Sequence, residues 1–531
     1  MESPLLFCEE YEWQGYWWIP EDPANLVPGV LKYDGKGKIF LELIGSFSGF
    51  NYSNGNLFIP GLENWGIVYG TSGNSEITLF GVSITESNMS FPENSENTLF
   101  GFSVTESNVS FSGNPGAVLQ MAVVDRAIIG AHILDKDGEI FSGFEVGIED
   151  LNLWARTSTP EFEYEDIENE IGEKKCGISL SAKPVQAAVA NDALYKVVHY
   201  LSLGKIEYLA GETVGSISEK VSMKVDYSNP INLQKVLEEV GVLQKLISFA
   251  VSRFVGIISL RLNISEDVSL VHGGVGIQGH SVNLLYSLSN VGHTDSKGAD
   301  SRNVLFTCEL VSVDKVLPLW YELYGQLQNA ANEILSLHYS PKISVKNALL
   351  TAVNSAEILH FNLEKQGKIS EVEEMAECQS NRESRTEKSG EKDVENQKEG
   401  VASAPKVNKG RKQKLLKVRL KELANRIGEN IISLVVPDVE YWAEAAAKSR
   451  NKISHEGHVL HYDENAQKAI ILVTTCVVIL NILKELGFSS ENQMNIVRGN
   501  PGMRRAFYNA QLYLMPPKEE ADEKSPEDNQ V

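Results

Sequence analysis

The sequence predicts an α+β protein in which a large β-rich N-terminal region precedes an all-α helical bundle. Before residue 312, short runs of β-branched and aromatic residues alternate with Gly, Asn and Pro. From Leu317 onward, apolar residues recur with the 3.6-residue period of a helix. This period predicts long helices at Leu317–Leu337 and Ser344–Glu364, further helices at about 412–434, 438–454 and 465–486, and a short basic helix near Met503–Leu514. A charged segment at about 366–404 is poor in aromatic residues, and we predict that it is a disordered insertion in the bundle.

The N-terminal region contains strand-like runs and an internal repeat. Residues 74–91 recur as 94–111, with TLFG and TESN kept in both copies. Because two copies are too few for a solenoid or a propeller, we predict a duplicated strand pair within a larger sheet. Helical periodicity near Asn232–Val255 predicts one helix in this region. Trp17 and Trp18 are predicted to pack on the sheet, with a stacking platform for a base or sugar as the alternative.

Length and composition bound the organisation. A chain of 531 residues is too long for one hydrophobic core. We predict a β-rich domain at 1–312, a helical domain at 313–515 and a disordered acidic tail at 516–531. Five scattered cysteines without a CxxC pair indicate a reducing compartment, and no secretory signal is visible, so a cytoplasmic location is predicted. The apolar run Ala469–Leu483 is shorter than the roughly 20 residues of a spanning helix, which predicts a buried core helix and no membrane association.

Charge is distributed unevenly along the chain. The net charge is −23, but the acidic residues concentrate near 364–399 and after Pro517. Between Lys406 and Lys421, eight of sixteen residues are basic and none is acidic. This run is a candidate RNA-phosphate contact, with a solvated helix face as the alternative. Its basic residues are Lys406, Lys409, Arg411, Lys412, Lys414, Lys417, Arg419 and Lys421.

The segment RNKISH carries the candidate chemistry. Arg450 and His455 form an R-x4-H pattern, and Asn451 follows the arginine. A histidine titrates near neutral pH and can transfer protons during RNA cleavage. An arginine presents a permanent planar fork to a phosphate. The nucleophile would be the 2′-hydroxyl of the RNA, so no metal or cofactor is required. Asn451 would orient His455 or bind phosphate. The pattern by itself is weak, since an exposed helix end can carry the same residues.

The spacing of this pair constrains the site. Residues five apart on a regular helix differ by about 140° around the axis. Arg450 and His455 therefore cannot face one phosphate from a straight helix. Either the end of the helix unwinds, or a second chain supplies the partner residue in a dimeric site.

Both halves of the chain resemble known families. RNKISH, on the third helix of a predicted bundle, resembles the RNxxxH signature of HEPN ribonucleases. The N-terminal region resembles the N-terminal domain of the ApeA family of anti-phage proteins. That resemblance is carried by GYWWIPEDPANLVPGVLKYDGKGKIFLELIGSF at 15–47, by TLFG at 78–81 and 98–101, and by RAIIGAHI at 126–133. The two resemblances cover about 1–312 and 313–515.

The resemblance implies an anti-phage effector that cuts RNA, with tRNA the expected substrate, and causes abortive infection. Arg450, Asn451 and His455 match the catalytic motif residue by residue. Glu357 resembles the acidic residue of the first HEPN helix, where it would pair with or orient Arg450; a plain surface glutamate is the alternative. The implied partners are RNA, a phage-derived trigger and a second copy of the chain. The competing hypothesis is a non-catalytic HEPN scaffold that dimerises or binds RNA.

Two further patterns carry little weight. GVGIQG at 274–279 fits GxGxxG but precedes a strand-like run, so a glycine-rich turn is predicted. His455, His458 and His461 are spaced by three, yet no matching cysteine or carboxylate cluster is evident, and no metal site is predicted.

Overall fold

The computed structural model consists of two compact units, Met1–Gly325 and Gln326–Val531. It describes residues 4–516 except 49–50, 54–55, 61–63, 90–102, 106–107, 113–117, 136, 157–160, 167–173, 180, 182–183, 205, 209, 266–280, 295–297, 340–342, 370–414 and 457–461. The predicted insertion at about 366–404, the GxGxxG segment and the tail after residue 516 therefore lie wholly or largely outside the described residues.

The first unit is built mainly from strands. In chain order they are β1 (Glu10–Trp18), β2 (Val27–Asp34), β3 (Ile39–Ile44), β4 (Asn51–Ser53), β5 (Asn56–Pro60), β6 (Asn64–Ser72), β7 (Ser75–Met89), β8 (Ser103–Thr105), β9 (Asn108–Ser112), β10 (Val118–Ile129), β11 (Phe141–Ile148), β12 (Glu161–Asp166), β13 (Lys174–Ser179), β14 (Gln186–Ala190), β15 (Ala193–Leu203), β16 (Glu207–Tyr208), β17 (Thr213–Val214), β18 (Ile217–Ile231), β19 (Ile257–Ile264) and β20 (Ser281–Tyr286).

The helices of the described residues begin in the first unit and fill the second. They are α1 (Leu151–Ala155), α2 (Leu233–Ala250), α3 (Val313–Tyr339), α4 (Val345–Lys365), α5 (Leu416–Ile427), α6 (Glu429–Ile432), α7 (Val439–Glu456), α8 (Glu464–Glu485), α9 (Ser490–Gly499) and α10 (Pro501–Tyr513). Helix α3 crosses the boundary between the units. The α+β fold class predicted from the sequence is confirmed.

Six antiparallel strands close into a barrel in the order β10-β3-β2-β1-β6-β7, because β7 pairs back onto β10. Alternate residues of β2 and β3 are buried, and Leu31 lies opposite Leu41 in the register. This alternation is what a barrel wall requires, since successive side chains point to opposite faces of a strand.

Strand β10 joins the barrel to an open antiparallel extension. Its Leu119–Val124 stretch pairs with β3, whereas Arg126–Ile129 pairs with β20. From β20 the sheet continues in the order β19-β11-β18-β15-β14. Helix α2 covers β11 with a face that buries Val236, Val240 and Leu243. The predicted helix near Asn232–Val255 is thus present within slightly shorter bounds.

The repeat does not form two equal strand pairs. In the first copy, residues 75–89 are one continuous strand, β7, of the barrel. In the second copy, 103–105 and 108–112 form β8 and β9 of a separate four-stranded sheet. The prediction of a duplicated strand pair within one larger sheet is therefore wrong. The first TESN lies within β7, whereas in the second copy Thr105 ends β8 and Asn108 begins β9. The same four residues therefore belong to different strand arrangements, because long-range pairing overrides local preference.

Helix α8 forms the core of the second unit. It contacts α4, α5, α7, α9 and α10. In the described residues it is the one helix long and apolar enough to cross a membrane, with a mean hydropathy of 2.0, and 72% of its most apolar stretch is buried within the protein. Asn481, its buried polar residue, donates to the carbonyl oxygens of Leu423 and Val477 and accepts from Arg426. These features are those of a core helix.

Two helix boundaries differ from the sequence prediction. A single helix was expected at about 412–434, but the chain breaks at Gly428, whose φ of 104° is outside the helical range, and continues as α6. Helix α9 was not predicted. Its start is marked by Ser489, whose hydroxyl accepts from the Asn492 N–H, a capping signal that the sequence contained.

Gly70 in β6 leaves the space that Trp17 fills inside the barrel. A Cβ at position 70 would lie 2.2 Å from Trp17 Cε3, and the indole is fully buried, so it has no free space to move into. Packing of Trp17 on the sheet, predicted from the sequence, is therefore what the structure has. We predict that Gly70→Ala destabilises the barrel by about 1–3 kcal/mol in denaturant unfolding.

Gly66→Ala is the matched control for this prediction. Gly66 lies in the same strand, and a Cβ there would meet nothing within 4 Å. We expect a change within about 0.5 kcal/mol for this variant. Equal losses for the two variants would contradict the packing argument.

Candidate active site

Helix α7 presents the RNKISH segment. Asp438 begins the helix by accepting a hydrogen bond from the Tyr441 N–H at 2.8 Å. Trp442 is fully buried, and its indole N–H donates to Thr474 Oγ1 on α8 at 3.2 Å. The alanine-rich stretch between Trp442 and Arg450 packs inward and favours helix formation. The helix is thereby fixed against the core one to two turns before Arg450.

Arg450 is held by Glu357 of α4. Its Nη2 donates to Glu357 Oε2 at 3.2 Å, and its Nη1 donates to Asn451 Oδ1 at 3.4 Å. The Arg450 side chain is 31% exposed. Its Nε is buried and has no hydrogen-bond partner among the described residues. The guanidinium is therefore oriented by the protein and still reaches solvent, as a phosphate-binding group must.

Glu357 is shared by two arginines. Arg419 of α5 donates from Nη1 to Glu357 Oε1 at 2.8 Å, a closer contact than the one that Arg450 makes. The Arg419 side chain is only 6% exposed. The structure thus brings together Glu357 and Arg450, which the sequence paired, and adds Arg419, which sequence reasoning assigned to a different role.

A second polar pair lies one turn further along the same helices. His360 of α4 and Glu422 of α5 make a hydrogen bond of 2.5 Å through His360 Nε2. The imidazole is fully buried, and its Nδ1 has no partner among the described residues. Burial lowers the pKa of His360 from its usual 6.5, although the contact with Glu422 acts in the opposite direction. A neutral imidazole with Nε2 as the donor fits this arrangement.

The basic run predicted to contact RNA is only partly described. Lys406, Lys409, Arg411, Lys412 and Lys414 lie outside the described residues. Lys417 pairs with Glu440 and Glu444, and Lys421 pairs with Glu440, all on α7. Bonds from Lys448 and Lys417 lower the pKa of Glu444 to about 2. These described lysines therefore have carboxylate partners within the helical unit.

The expectation that Arg419 contacts RNA is wrong. The sequence placed it among the candidate RNA contacts, but it is buried against Glu357 and does not belong to an exposed basic face. The acidic partner that draws it inward lies 62 residues earlier in the chain, so the local composition gave no sign of it.

Arg450 and His455 lie on one continuous helix. The helical backbone of α7 extends through Glu456, so the helix does not unwind between the two residues. They are separated by about 140° around its axis. The side chain of His455 and residues 457–461, which include Gly457, His458 and His461, lie outside the described residues. Within the described residues no cluster suited to a metal ion is found.

Unpaired arginines occur on the last two helices. Arg498 of α9 and Arg504 and Arg505 of α10 are exposed and have no carboxylate partner among the described residues. Tyr508 is exposed on the same helix as Arg504 and Arg505. Helix α10 contains no acidic residue. Sequence reasoning identified this helix as basic but did not assign it a role.

Comparison with family models identifies the two halves of the chain. Residues 12–320 match the ApeA N-terminal domain 1, which is more than half of the chain. This chain belongs to the ApeA family. Residues 350–492 match the Apea-like HEPN domain, in the order that the sequence resemblance predicted. No curated protein and no solved structure matches the chain.

The ApeA assignment gives the general function. An ApeA N-terminal domain followed by an ApeA-like HEPN domain is the organisation of an anti-phage effector of the HEPN type. HEPN families generally have ribonuclease activity, and HEPN domains commonly bind RNA and dimerise. Glu357 and Arg450 both lie within the HEPN match.

The buried His360 should make the stability of the second unit, Gln326–Val531, which contains the HEPN match and is called the HEPN unit below, sensitive to acid. Because its pKa is lowered in the folded state, the unfolded chain binds the proton more readily. Its contribution to stability is therefore present above about pH 6.5 and is lost as the pH falls below that value. We predict that His360→Gln flattens the decline of thermal stability between about pH 7 and pH 5.

His293→Gln, at an exposed histidine of the first unit, is the control for this measurement. It should leave the acid-side slope unchanged. An identical slope in wild type and His360→Gln would show that protonation of His360 does not limit acid stability.

Proposed function

We propose that this ApeA-family chain is a metal-independent endoribonuclease whose catalytic residues are Arg450, Asn451 and His455. The observation that carries the proposal is the pairing of Arg450 with Glu357 at a half-exposed position of the HEPN unit. An arginine oriented by a carboxylate and open to solvent is suited to bind a phosphate. The same segment, RNKISH, contains His455, and a histidine is the residue type suited to transfer protons near neutral pH.

The chemistry proposed is transesterification. The 2′-hydroxyl of the RNA attacks the adjacent phosphorus, a bond forms between O2′ and phosphorus, and the bond to the 5′-oxygen breaks. A histidine takes the 2′-hydroxyl proton, and an acid returns a proton to the leaving oxygen. Arg450 stabilises the charge that develops on the phosphate. The products are a 2′,3′-cyclic phosphate and a 5′-hydroxyl, and no metal ion takes part.

Two chains supply the site in this proposal. The continuous helix through Glu456 separates Arg450 and His455 by about 140°, so one chain would direct them to different sides. A two-fold dimer that brings together two α7 helices would place Arg450 of one protomer near His455 of the other, and it would do so twice by symmetry.

The biological role follows from the ApeA assignment. We propose that RNA cleavage, with tRNA as the substrate, causes abortive infection, and that a phage-derived trigger acts through the N-terminal region at about 1–312. The helical domain would span about 313–515 and act in the cytoplasm. The described cysteines Cys8, Cys308 and Cys476 are all free thiols, which suits a reducing compartment.

A non-catalytic HEPN scaffold is the competing function. The shared carboxylate of Glu357 and the lysine–glutamate pairs between α5 and α7 would serve a scaffold equally well, because they fix helices to one another. RNA cleavage by the purified protein separates the two functions.

We predict that purified wild type cleaves RNA in EDTA and leaves 2′,3′-cyclic phosphate ends. Arg450→Ala and His455→Ala should each lower the cleavage rate by at least about a hundredfold, because each removes a group that acts in the transition state. The ends are identified by sequencing after treatment with and without a cyclic-phosphate-opening enzyme.

Lys448→Ala is the matched control for Arg450→Ala and His455→Ala. Lys448 is an exposed cation on the same helix and pairs with Glu444 within one turn. Its loss should leave cleavage within about twofold of wild type, since such exposed pairs contribute little. Full activity in both Arg450→Ala and His455→Ala would remove the catalytic assignment of these two residues, whereas a wild type that leaves RNA intact would favour the scaffold.

The composite site makes a separate prediction. An Arg450→Ala chain and a His455→Ala chain, each inactive alone, should regain about a quarter of wild-type activity when co-assembled at equal amounts. Half of the dimers would be mixed, and each of these would contain one intact site. If the mixture stays as inactive as its components, Arg450 and His455 act within one chain or the motif is not catalytic.

A further inference from the structure

The Glu357 cluster, which consists of Glu357, Arg419 and Arg450, has a net positive charge. One carboxylate, Glu357, lies between the guanidinium groups of Arg419 and Arg450. Since arginine stays protonated in proteins, the three side chains together have one positive charge in excess. Arg419 is buried and Arg450 is partly exposed, so the excess charge faces solvent at Arg450.

The two arginines bind different oxygens of the carboxylate. Arg419 uses Oε1 at 2.8 Å, whereas Arg450 uses Oε2 at 3.2 Å through Nη2 alone. A lone arginine–carboxylate pair prefers two parallel hydrogen bonds. Here the closer contact with Arg419 occupies one oxygen and fixes the plane of the carboxylate. Arg450 is left with a single, longer bond, so it is oriented but not enclosed.

We propose that Arg419 is a positioning residue for the ribonuclease site, which holds Glu357 so that this carboxylate orients Arg450 without cancelling its charge. The inference rests on the proposed function, because it assigns Arg450 to the scissile phosphate. Arg419 itself does not touch the RNA, since its side chain is buried between α4, which carries Glu357, and α5.

Removal of the charge at position 419 would change the ion pairs that the Glu357 carboxylate makes. The carboxylate would then have Arg450 as its one cationic partner among these side chains, and the two would form a closer pair. An anion near Arg450 would meet a neutral pair in place of a net positive charge. Phosphate binding would weaken even though no group that contacts RNA had been altered.

The test compares four proteins: wild type, Arg419→Gln, Glu357→Gln and the double variant. Arg419→Gln keeps a hydrogen-bond donor for Glu357 and removes the charge. We expect it to weaken binding of a short 2′-O-methyl RNA, measured by fluorescence anisotropy, by about tenfold, the effect of losing one strong charged contact. Cleavage of unmodified RNA should fall at least as much.

The decisive comparison is in the Glu357→Gln background. In this background the negative charge of Glu357 is absent, so the positive charge of Arg419 no longer has a carboxylate to balance. Arg419→Gln should then change RNA affinity by less than about twofold, and the double variant should bind more tightly than Arg419→Gln alone. A loss in the double variant equal to that in the single variant would overturn the proposal, because Arg419 would then act independently of Glu357.

Conservative rescue and folding controls complete the experiment. Arg419→Lys keeps the charge and should stay within about threefold of wild-type affinity. Lys448→Met removes an exposed cation of α7 that pairs with Glu444 and should leave affinity within twofold. If Arg419→Gln fails to fold alone, Glu357→Gln and the double variant, whose buried pair is neutral, still test the proposal, because a loss of affinity between these two would show that Arg419 acts independently of Glu357.

Failure of the proposed function is recognised separately. A wild type that leaves unmodified RNA intact refutes the ribonuclease proposal. The order of affinities for the 2′-O-methyl RNA still decides whether Arg419 sets the charge at Arg450. Equal affinity of wild type and Arg419→Gln would contradict the inference whether or not the protein cleaves RNA.

Discussion

The carboxylate of Glu357 is the interaction on which the geometry of the HEPN unit depends. It lies on α4 and accepts hydrogen bonds from α5 and α7, so one group fixes three helices relative to one another. A buried guanidinium such as that of Arg419 is costly without its anion. A shift of α4 by one residue would rotate Glu357 by about 100° and separate it from both arginines. The His360–Glu422 pair imposes the same register on α4 and α5. The position of Arg450 is therefore set by a polar constraint.

Apolar packing around α8 stabilises the second unit but fixes the relative positions of its helices less strictly than the polar contacts of Glu357 do. The helix is buried on nearly all sides and contacts five other helices. Hydrophobic burial depends on area and has little directional preference, so Val, Ile and Leu along α8 would tolerate small shifts of their neighbours. Asn481 is the exception, because its side chain must satisfy the backbone of α5 and of α8 itself. The apolar core thus supplies stability, while a few buried polar groups determine how the helices are placed relative to one another.

The sequence predicted the features that depend on local pattern. The fold class and most helices follow from periodicity, and the apolar run of α8 identified a core helix. The role expected for RNKISH came from its resemblance to HEPN ribonucleases, because its spacing alone is a weak signal. Arg419 could not be assigned correctly, because its partner is remote in sequence and the lysines around it resemble a nucleic-acid contact. The different structures of the two TESN copies depend on which strands lie beside them. The break at Gly428 had a local signal, a single glycine, that the helical period outweighed.

Local charge explains how so acidic a chain could present the phosphate site that we propose. The lysines of α5 that the structure describes are matched by glutamates of α7, so that surface gains little positive potential. The cluster at Glu357 differs, because two guanidiniums share one carboxylate and the outer one faces solvent. A single excess charge at a partly desolvated position interacts with an anion more strongly than several solvated ones, since water screens it less. The net charge of −23 is therefore no obstacle to RNA binding. What matters is that Arg419 is buried where it can offset Glu357 and leave the charge of Arg450 uncancelled.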